Sequence, residues 1–273
     1  MTIPVFQKII LEWYQKSKRD LPWRKTRNPY KILVSEIMLQ QTQVSRVIPK
    51  YQQFLQEFPA PETLAKAPDS KLLTVWSGLG YWRRAKFLKA TAQAITDKHN
   101  GVFPQTPEEL IRLPGIGPYT AGAVACFAFN YPGAFIDTNI RRVYLHFFFP
   151  NKEEVPDKEI LEIAQEAVWK ENPRIWHWAL FDYGATELRT KGINKRSKHY
   201  AKQSKFEGSF RSYRTAVVKK LLTSPDHQLS RATVLDFLED KLRQEEQDYN
   251  PQEILKALQK DKLIKTSEKT ISL

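Results

Sequence analysis

The sequence is short of cysteine, of acidic residues and of long apolar runs. Its single cysteine, Cys126, excludes a disulfide framework and a cysteine metal site, and the surrounding run AVACFAF predicts a core position for it. No apolar run approaches the roughly 18 residues of a membrane span, and the amphipathic N-terminus lacks the pattern of a signal peptide. We therefore expect a soluble protein without a membrane partner, cytoplasmic and, in a bacterium, nucleoid-associated.

The shortage of acid leaves the chain strongly basic. Lys and Arg number 43 against 30 Asp and Glu, a formal net charge of +13 with a pI near 9.6. This balance predicts a polyanionic partner, with nucleic acid as the first candidate; a basic protein without such a partner is the alternative. The excess lies mainly in the first 200 residues, because 205–273 carries 13 basic and 11 acidic residues.

Helical periodicity dominates the chain, without internal repeats or low-complexity segments. Apolar residues predict one helix over 4–19 and two over 31–58, separated by the proline-bounded loop 21–30. Residues 209–273 differ, because three helical patterns followed by a short hairpin indicate a winged-helix-like module. These patterns cover 211–223, 231–243 and 251–264. We predict an all-α fold with this small module at its C-terminal end.

The stretch around which the chain is organised is LPGIGPYTAGAVACFAFNYPGAFIDTNIRRV, residues 113–143. Gly115 and Gly117 can adopt positive φ and let another backbone approach closely. The first amides of the following helix are unpaired donors at the positive end of a dipole, which makes a site for a phosphate-sized anion. A helix–turn–helix connection without a ligand is the alternative.

Two acids and one aromatic loop stand out by their surroundings. Glu36 interrupts the apolar run ILVSEIML and is either at the surface or in a pocket that raises its pKa. Asp137 precedes a helical run, where aspartate is a favoured N-cap. The loop SGLGYWRR sets Tyr81 and Trp82 beside two arginines, which suits stacking on bases and contact with phosphates, although both rings are equally suited to a core.

A basic run covers residues 188–205, with seven Lys or Arg and no acid. Its charges would spread around any helix drawn through them, so a solvated loop that faces phosphates is predicted. A plain surface linker is the alternative.

Four motifs occur in a fixed order along the chain: LPWRKTRNPYKILVSEIMLQQTQV, GLGYWRRAKFL, LPGIGPYTAGA and IDTNIRRV. Together they closely resemble the helix–hairpin–helix DNA glycosylase superfamily and, within it, the adenine DNA glycosylases of the MutY type, over residues 1 to about 187. The resemblance implies two helical lobes with the active site in the cleft between them. It also implies a monomeric enzyme of base excision repair that removes adenine mispaired with 8-oxoguanine or guanine from double-stranded DNA.

The resemblance also implies a domain organisation. Residues 1–205 would form the glycosylase core, whereas 206–273 are assigned to the winged-helix-like C-terminal module from their own helical and hairpin pattern. Within the core, an inner helical barrel of about 22–130 would contain the hairpin 111–123, and an outer lobe would combine 1–21 with 131–205.

The resemblance assigns catalytic roles residue by residue. Glu36 would protonate the leaving adenine, and Asp137 would stabilise the oxocarbenium sugar, as in the two-carboxylate chemistry of glycoside hydrolysis. Tyr119 stands where related strand-cutting glycosylases have a lysine nucleophile. The chain therefore resembles the monofunctional branch. In that branch Tyr119 would form hydrogen bonds with the carboxylates, and Asn139 would be their polar neighbour.

The target base lies inside a duplex and must be flipped out. Gln41 and Tyr81 match family residues that wedge into the stack beside it. The amides near Gly115, Ile116 and Gly117 would hold backbone phosphates, with room for a monovalent cation in the hairpin. The remaining predicted DNA contacts are Arg24, Lys195, Arg196 and Lys198.

The chain departs from the family in two places. The usual cysteine spacing of an iron–sulfur cluster falls on Leu188, Lys195, Lys198 and Ser204, none of which is a cysteine. Because thiolates are the required ligands, we expect no cluster, and we expect Lys195, Arg196 and Lys198 to replace its phosphate contacts. We also expect the winged-helix-like module to stand in the place of the Nudix-like C-terminal domain that reads 8-oxoguanine in the family.

Two other functions stay open. The same scaffold could remove another mispaired or modified base, such as thymine or uracil opposite guanine, although Glu36 favours a purine because it suits protonation of a ring nitrogen. A catalytically silent protein that binds DNA structures is the third candidate, and the retention of both carboxylates counts against it.

Overall fold

The computed structural model describes all residues from Met1 to Leu273 and is predominantly helical, as predicted. Short 3₁₀ helices at Pro22–Lys25, Ile193–Arg196 and Pro225–His227 lie in its loops. The α-helices are α1 Ile3–Ser17, α2 Pro29–Leu39, α3 Val44–Glu57, α4 Pro61–Lys66, α5 Asp69–Trp76, α6 Arg83–Lys98, α7 Pro107–Leu110, α8 Pro118–Phe129, α9 Thr138–Phe148, α10 Asp157–Ala167, α11 Pro173–Thr186, α12 Phe210–Thr223, α13 Arg231–Gln244 and α14 Pro251–Lys260. None of them combines the length and the apolar character that a membrane span requires.

The chain divides into two compact units, each made of two stretches. The first combines residues 1–37 with 103–202, and the second combines 38–102 with 203–273. The C-terminal segment therefore shares a compact unit with α3 to α6. The domain boundary between 205 and 206 stays a prediction from the sequence. The division of the core into an inner barrel and an outer lobe also stays a prediction.

Aromatic packing and one close helix contact organise the first unit. The ring of Phe6 in α1 is fully buried and lies 5.4 Å from the rings of both Tyr144 in α9 and Trp176 in α11. At Gly184 in α11, a Cβ atom would lie 2.3 Å from the backbone oxygen of Asn139. Because only glycine permits that approach, Gly184 lets α11 press against the first turn of α9.

The C-terminal part of the second unit confirms the winged-helix-like arrangement. Helices α12, α13 and α14 accompany a three-stranded antiparallel sheet in the order β1-β3-β2, with β1 at Gln228–Ser230, β2 at Lys265–Thr266 and β3 at Thr270–Ser272. Strand β1 was not predicted, because three residues are too few to show an alternating pattern. Helix α14 ends at Lys260 instead of 264, since Lys262 has a φ of 54° and turns the chain towards β2.

Candidate active site

Helix α2 holds a buried acid in the first unit. The side chain of Asn28 accepts a hydrogen bond from the amide of Lys31 at 3.1 Å, and Pro29 opens the helix behind it. Glu36 follows two turns later among buried apolar neighbours and is only 5% exposed. Of the two positions that the sequence allowed for this glutamate, the surface one is therefore wrong.

The environment of Glu36 favours its protonated form. Burial raises the pKa of this carboxyl to about 7, and the negative charge of Asp137 adds to the rise. The hydroxyl of Tyr119 donates a hydrogen bond to Glu36 Oε2 at 2.7 Å and opposes the shift, as does the charge of Arg24. Near neutral pH this carboxyl can therefore both hold and release a proton.

Asp137 lies at the start of α9 and is fixed by three hydrogen bonds. Its Oδ1 accepts from the amides of Asn139 at 2.9 Å and Ile140 at 2.7 Å, and its Oδ2 accepts from Asn139 Nδ2 at 2.9 Å. Burial raises the pKa of Asp137, while these three bonds oppose the rise. The N-cap predicted from the sequence is present, and the helix dipole favours a negative charge there.

Two contacts that the sequence did not reveal fix the first turn of α9. The backbone of Asn139 meets Gly184 in α11, and Arg142 donates from Nη1 to the carbonyl oxygen of Gly184 at 2.5 Å. A glycine late in an amphipathic helix is the only sequence signal of this contact. The position of the Asp137 carboxylate thus depends on the packing of α11.

Tyr119 stands in the first turn of α8, directly after the glycine-bearing loop. Its ring packs edge-on against Phe135 and Phe181, with centroids 5.8 Å and 6.5 Å away. Burial raises the pKa of this phenol well above its ordinary value, and the charges of Glu36 and Asp137 raise it further. Tyr119 therefore keeps its proton and serves as a donor to Glu36.

The predicted hairpin is formed by α7, the loop 111–117 and α8. Thr106 and Glu109 form a capping box at the start of α7, and Gly117 is the N-cap of α8. Gly115 has a φ of 75°, and Ile116 is buried beneath the loop. A Cβ atom at Gly117 would meet no atom within 4 Å, so this side of the loop is open to an approaching backbone.

Residues 34–171 match the HhH-GPD superfamily of base excision DNA repair proteins. The chain belongs to this superfamily. The adenine DNA glycosylase of Buchnera aphidicola subsp. Baizongia pistaciae is 42% identical over 191 residues, which cover 68% of this chain and 53% of that protein. The adenine DNA glycosylase of Mycobacterium tuberculosis is 48% identical over 135 residues, covering 49% of this chain and 44% of that protein. The chain thus spans about half the length of the curated relatives it matches.

Solved structures of HhH-GPD proteins have the same fold. A thermostable thymine-DNA glycosylase superposes with a TM-score of 0.63 at 30% sequence identity, covering 72% of this chain and 96% of that chain. A non-covalent endonuclease III–DNA complex superposes with a TM-score of 0.59 at 22% identity, covering 68% of this chain and 87% of that chain. These two structures show the fold, and the superfamily match and the curated relatives confirm the family that the motifs indicated.

Two HhH-GPD loops in the second unit carry the residues predicted to wedge into DNA. Gln41 and Tyr81 have φ values of 54° and 45°, a conformation that non-glycine residues rarely adopt. Arg84 joins the loops, because its buried guanidinium donates to carbonyl oxygens on both sides, including those of Gln40 at 2.5 Å and Leu79 at 3.1 Å. The arginine beside the aromatic pair thus supports these loops from inside, where the sequence suggested a phosphate contact.

Arg24 contacts protein instead of lying free for DNA. Its guanidinium makes a two-pronged ion pair with Asp182, with Nη1 2.7 Å from Oδ2 and Nη2 2.8 Å from Oδ1. Its side chain is 9% exposed and that of Asp182 is 0% exposed. Arg24 therefore ties the 3₁₀ helix after α1 to α11, and we do not count it among the DNA contacts.

The basic run 188–205 is partly anchored. Leu188 and Ile193 are buried, and Arg196 donates to the carbonyl oxygens of Phe149 at 2.5 Å and Pro150 at 2.6 Å, just beyond α9. Arg196 is therefore engaged with the end of a helix. The sequence-derived ligand positions of an iron–sulfur cluster hold no thiolate, and Cys126 is buried in α8, so the residues present do not fit that group.

The exposed charges of this run are its lysines and Arg189. Lys195 and Lys198 both lie on the surface, as a phosphate contact requires. Of the predicted site residues, the structure brings together Glu36, Tyr119, Asp137 and Asn139 in the first unit, and Gln41 and Tyr81 in the second.

Proposed function

We propose that this protein is a monofunctional DNA glycosylase of base excision repair that hydrolyses the N-glycosidic bond of adenine mispaired with 8-oxoguanine or guanine. The observation that carries the proposal is Glu36, a buried carboxyl whose pKa is raised to about 7 beside a second carboxylate site. Two carboxyl groups with separated protonation states are the usual catalytic pair of glycosidic hydrolysis. The adenine DNA glycosylases among its relatives support adenine as the base.

The reaction divides between the two carboxyl groups. Protonated Glu36 donates its proton to a ring nitrogen of adenine, so that the glycosidic bond breaks with its electron pair leaving on a neutral base. Ionised Asp137 stabilises the positive charge that develops on the sugar, and water then adds to the anomeric carbon and loses a proton. Asn139 orients the carboxylate of Asp137 through its side-chain amide.

Tyr119 supports hydrolysis without strand cleavage. A strand-cutting glycosylase needs an amine to form a Schiff base with the sugar. Here the side chain at this position is a phenol that keeps its proton and donates a hydrogen bond to Glu36. Base release should therefore leave an intact abasic strand.

Double-stranded DNA is the proposed partner, bound by a monomer. The open side of the hairpin at Gly117, next to the positive φ of Gly115, suits a backbone phosphate, and a monovalent cation bound in this loop would support the contact. Lys195 and Lys198 add exposed positive charge, in the place of a cluster loop. Gln41 and Tyr81 would fill the stack when the adenine is flipped out.

A second candidate substrate is thymine mispaired with guanine. It is favoured by the thermostable thymine-DNA glycosylase, which is 30% identical and covered over 96% of its length. A buried carboxyl that holds a proton suits a purine better, because the ring nitrogens of adenine accept protons readily.

The test is single-turnover base release from labelled duplexes. Adenine is presented opposite 8-oxoguanine, guanine and thymine, and thymine and uracil opposite guanine, with Asp137→Asn as the inactive control. We expect release of adenine opposite 8-oxoguanine or guanine, followed by strand breakage only after alkali. Release of thymine or uracil alone would select the second candidate, and no release of any base would leave only a DNA-binding role.

A further inference from the structure

The phenol of Tyr81 is held from the C-terminal segment. Arg211 Nη1 and Gln203 Nε2 both donate hydrogen bonds to the Tyr81 hydroxyl, and the guanidinium of Arg211 lies over the Tyr81 ring, 5.4 Å from its centroid. The same Gln203 amide also reaches Gln41 Oε1 at 3.4 Å. One glutamine of the C-terminal segment thus contacts both predicted wedge residues.

Further contacts hold Arg211 and helix α12 in place. Arg211 lies in the first turn of α12 and donates from Nη2 to the carbonyl oxygen of Ser204 at 2.9 Å. One turn later, Arg214 pairs with Asp261, which follows α14 and also pairs with Arg83 at 3.5 Å. The winged-helix-like module therefore contacts the loop around Tyr81 at two points.

The wedge loops need such support because their backbone is unfavourable. Positive φ at two non-glycine residues has an energetic cost that the surrounding structure must offset. Arg84 holds these loops from the inside, and its guanidinium lies 5.3 Å from the Tyr81 ring centroid. Arg211 and Gln203 are the side chains that hold the hydroxyl end of the half-exposed Tyr81.

We infer that the C-terminal segment 203–273 positions the base-flipping wedge: Arg211 and Gln203 hold Tyr81, with Gln41 beside it, in the orientation that enters the duplex. This role rests on the proposed function and extends it to residues 203–273, which lie beyond the superfamily match at 34–171. An ordered side chain loses less conformational freedom when it inserts between bases, so flipping becomes more favourable. Arg211 and Gln203 are positioning residues, because they act through Tyr81.

The experiment measures flipping and base release separately. A duplex with adenine opposite 8-oxoguanine carries 2-aminopurine next to the adenine, so its fluorescence rises when the stack opens, before any bond breaks. The variants are Arg211→Ala, Gln203→Ala and Tyr81→Phe, and the double variant of Arg211→Ala with Tyr81→Phe. Arg243→Ala is the matched control, because Arg243 is an exposed arginine of α13 in the same module.

We expect Arg211→Ala to lower both the fluorescence rise and the rate of base release about tenfold, and Tyr81→Phe to do the same, while the double variant adds less than about threefold. Gln203→Ala should lower both signals in the same direction, and it leaves the module core intact even if Arg211→Ala lowers the melting temperature. Arg243→Ala should behave as the wild type.

Three results would overturn the inference. If Arg211→Ala lowers the fluorescence rise and the release rate as strongly in the Tyr81→Phe background as in the wild type, Arg211 contacts DNA directly. Faster release from Arg211→Ala and Gln203→Ala would mean that the module blocks the wedge. Unchanged signals in both single variants would mean that the contacts have no part in flipping.

A wild type that raises fluorescence without releasing base would contradict the proposed function alone, because the fluorescence would still test the wedge.

Discussion

The carboxylate site of the first unit and the wedge loops of the second differ in what controls their functional side chains. Glu36 is buried in a regular helix, and one hydrogen bond from Tyr119 reaches it. Tyr81 is half-exposed on a backbone with positive φ, and side chains hold it from two directions. Burial sets the protonation of the first group, whereas contacts set the orientation of the second. Chemistry and duplex opening should therefore respond to different substitutions.

The largest effect is expected when the buried site loses the acidic proton of Glu36. Glu36→Gln keeps the shape and hydrogen bonding of the side chain but cannot donate an acidic proton. We expect single-turnover adenine release to fall by about 10² to 10⁴ fold, with the 2-aminopurine signal retained. Glu162→Gln, an exposed change in α10, is the control. A loss of the fluorescence signal together with base release would show that the two functions are not separate.

Burial of Glu36 should also appear in the stability of the protein. Its pKa rises from 4.5 to about 7 on folding, so the folded state binds the proton more tightly and loses stability as pH increases between these values. As the pH rises through this range, the free energy of unfolding of Glu36→Gln should increase relative to that of the wild type by on the order of 3 kcal/mol. Urea unfolding at about pH 4.5 and pH 8 measures the difference. An equal gap at both pH values would show that the carboxyl titrates normally.

Salt dependence distinguishes exposed positive charge from charge held inside the protein. Changing Lys195 and Lys198 together to glutamine should reduce the slope of log affinity against log salt by about 2, with the rate of base release from bound DNA unchanged. The same change at Lys8 and Lys16, which are exposed on α1, is the control. A slope that stays at the wild-type value would remove the basic run from the DNA contacts.

The two tyrosines give the finest test. Tyr119→Phe removes a hydrogen bond that lowers the pKa of Glu36, so the alkaline fall in activity should move to higher pH, with a change of rate of only a few fold. Tyr81→Phe should lower the 2-aminopurine signal and leave the position of this fall unchanged. A shift of the pH profile in Tyr81→Phe would contradict the separation of the two sites.

The sequence predicted the helical fold and the main chemical groups for identifiable reasons. Glycine, proline and apolar spacing are local signals, so the hairpin, the N-cap Asp137 and the winged-helix-like arrangement could be predicted. The environment of Glu36 remained open between surface and pocket, because burial depends on what packs against a helix. The superfamily resemblance, and not its periodicity, marked it as functional.

Long-range contacts could not be predicted in this way. Arg24 and Arg196 were expected to contact DNA, but Asp182 holds Arg24 and the carbonyl oxygens just beyond α9 hold Arg196. A guanidinium suits phosphates, carboxylates and carbonyl groups alike, so its partner follows from the fold alone. The contacts of Gln203 and Arg211 with Tyr81 also join residues more than a hundred positions apart.

The most direct test of the central claim is the pH dependence of adenine release by the wild type and Glu36→Gln. Single-turnover rates on a duplex with adenine opposite 8-oxoguanine are measured from about pH 5 to about pH 9, where buried Glu36 would lose its proton. We predict that the wild-type rate falls about tenfold for each pH unit above about 7, and that Glu36→Gln is slow and shows no such fall. A wild-type rate that is constant across this range, or a fall that persists in Glu36→Gln, would contradict the assignment of Glu36 as the acid.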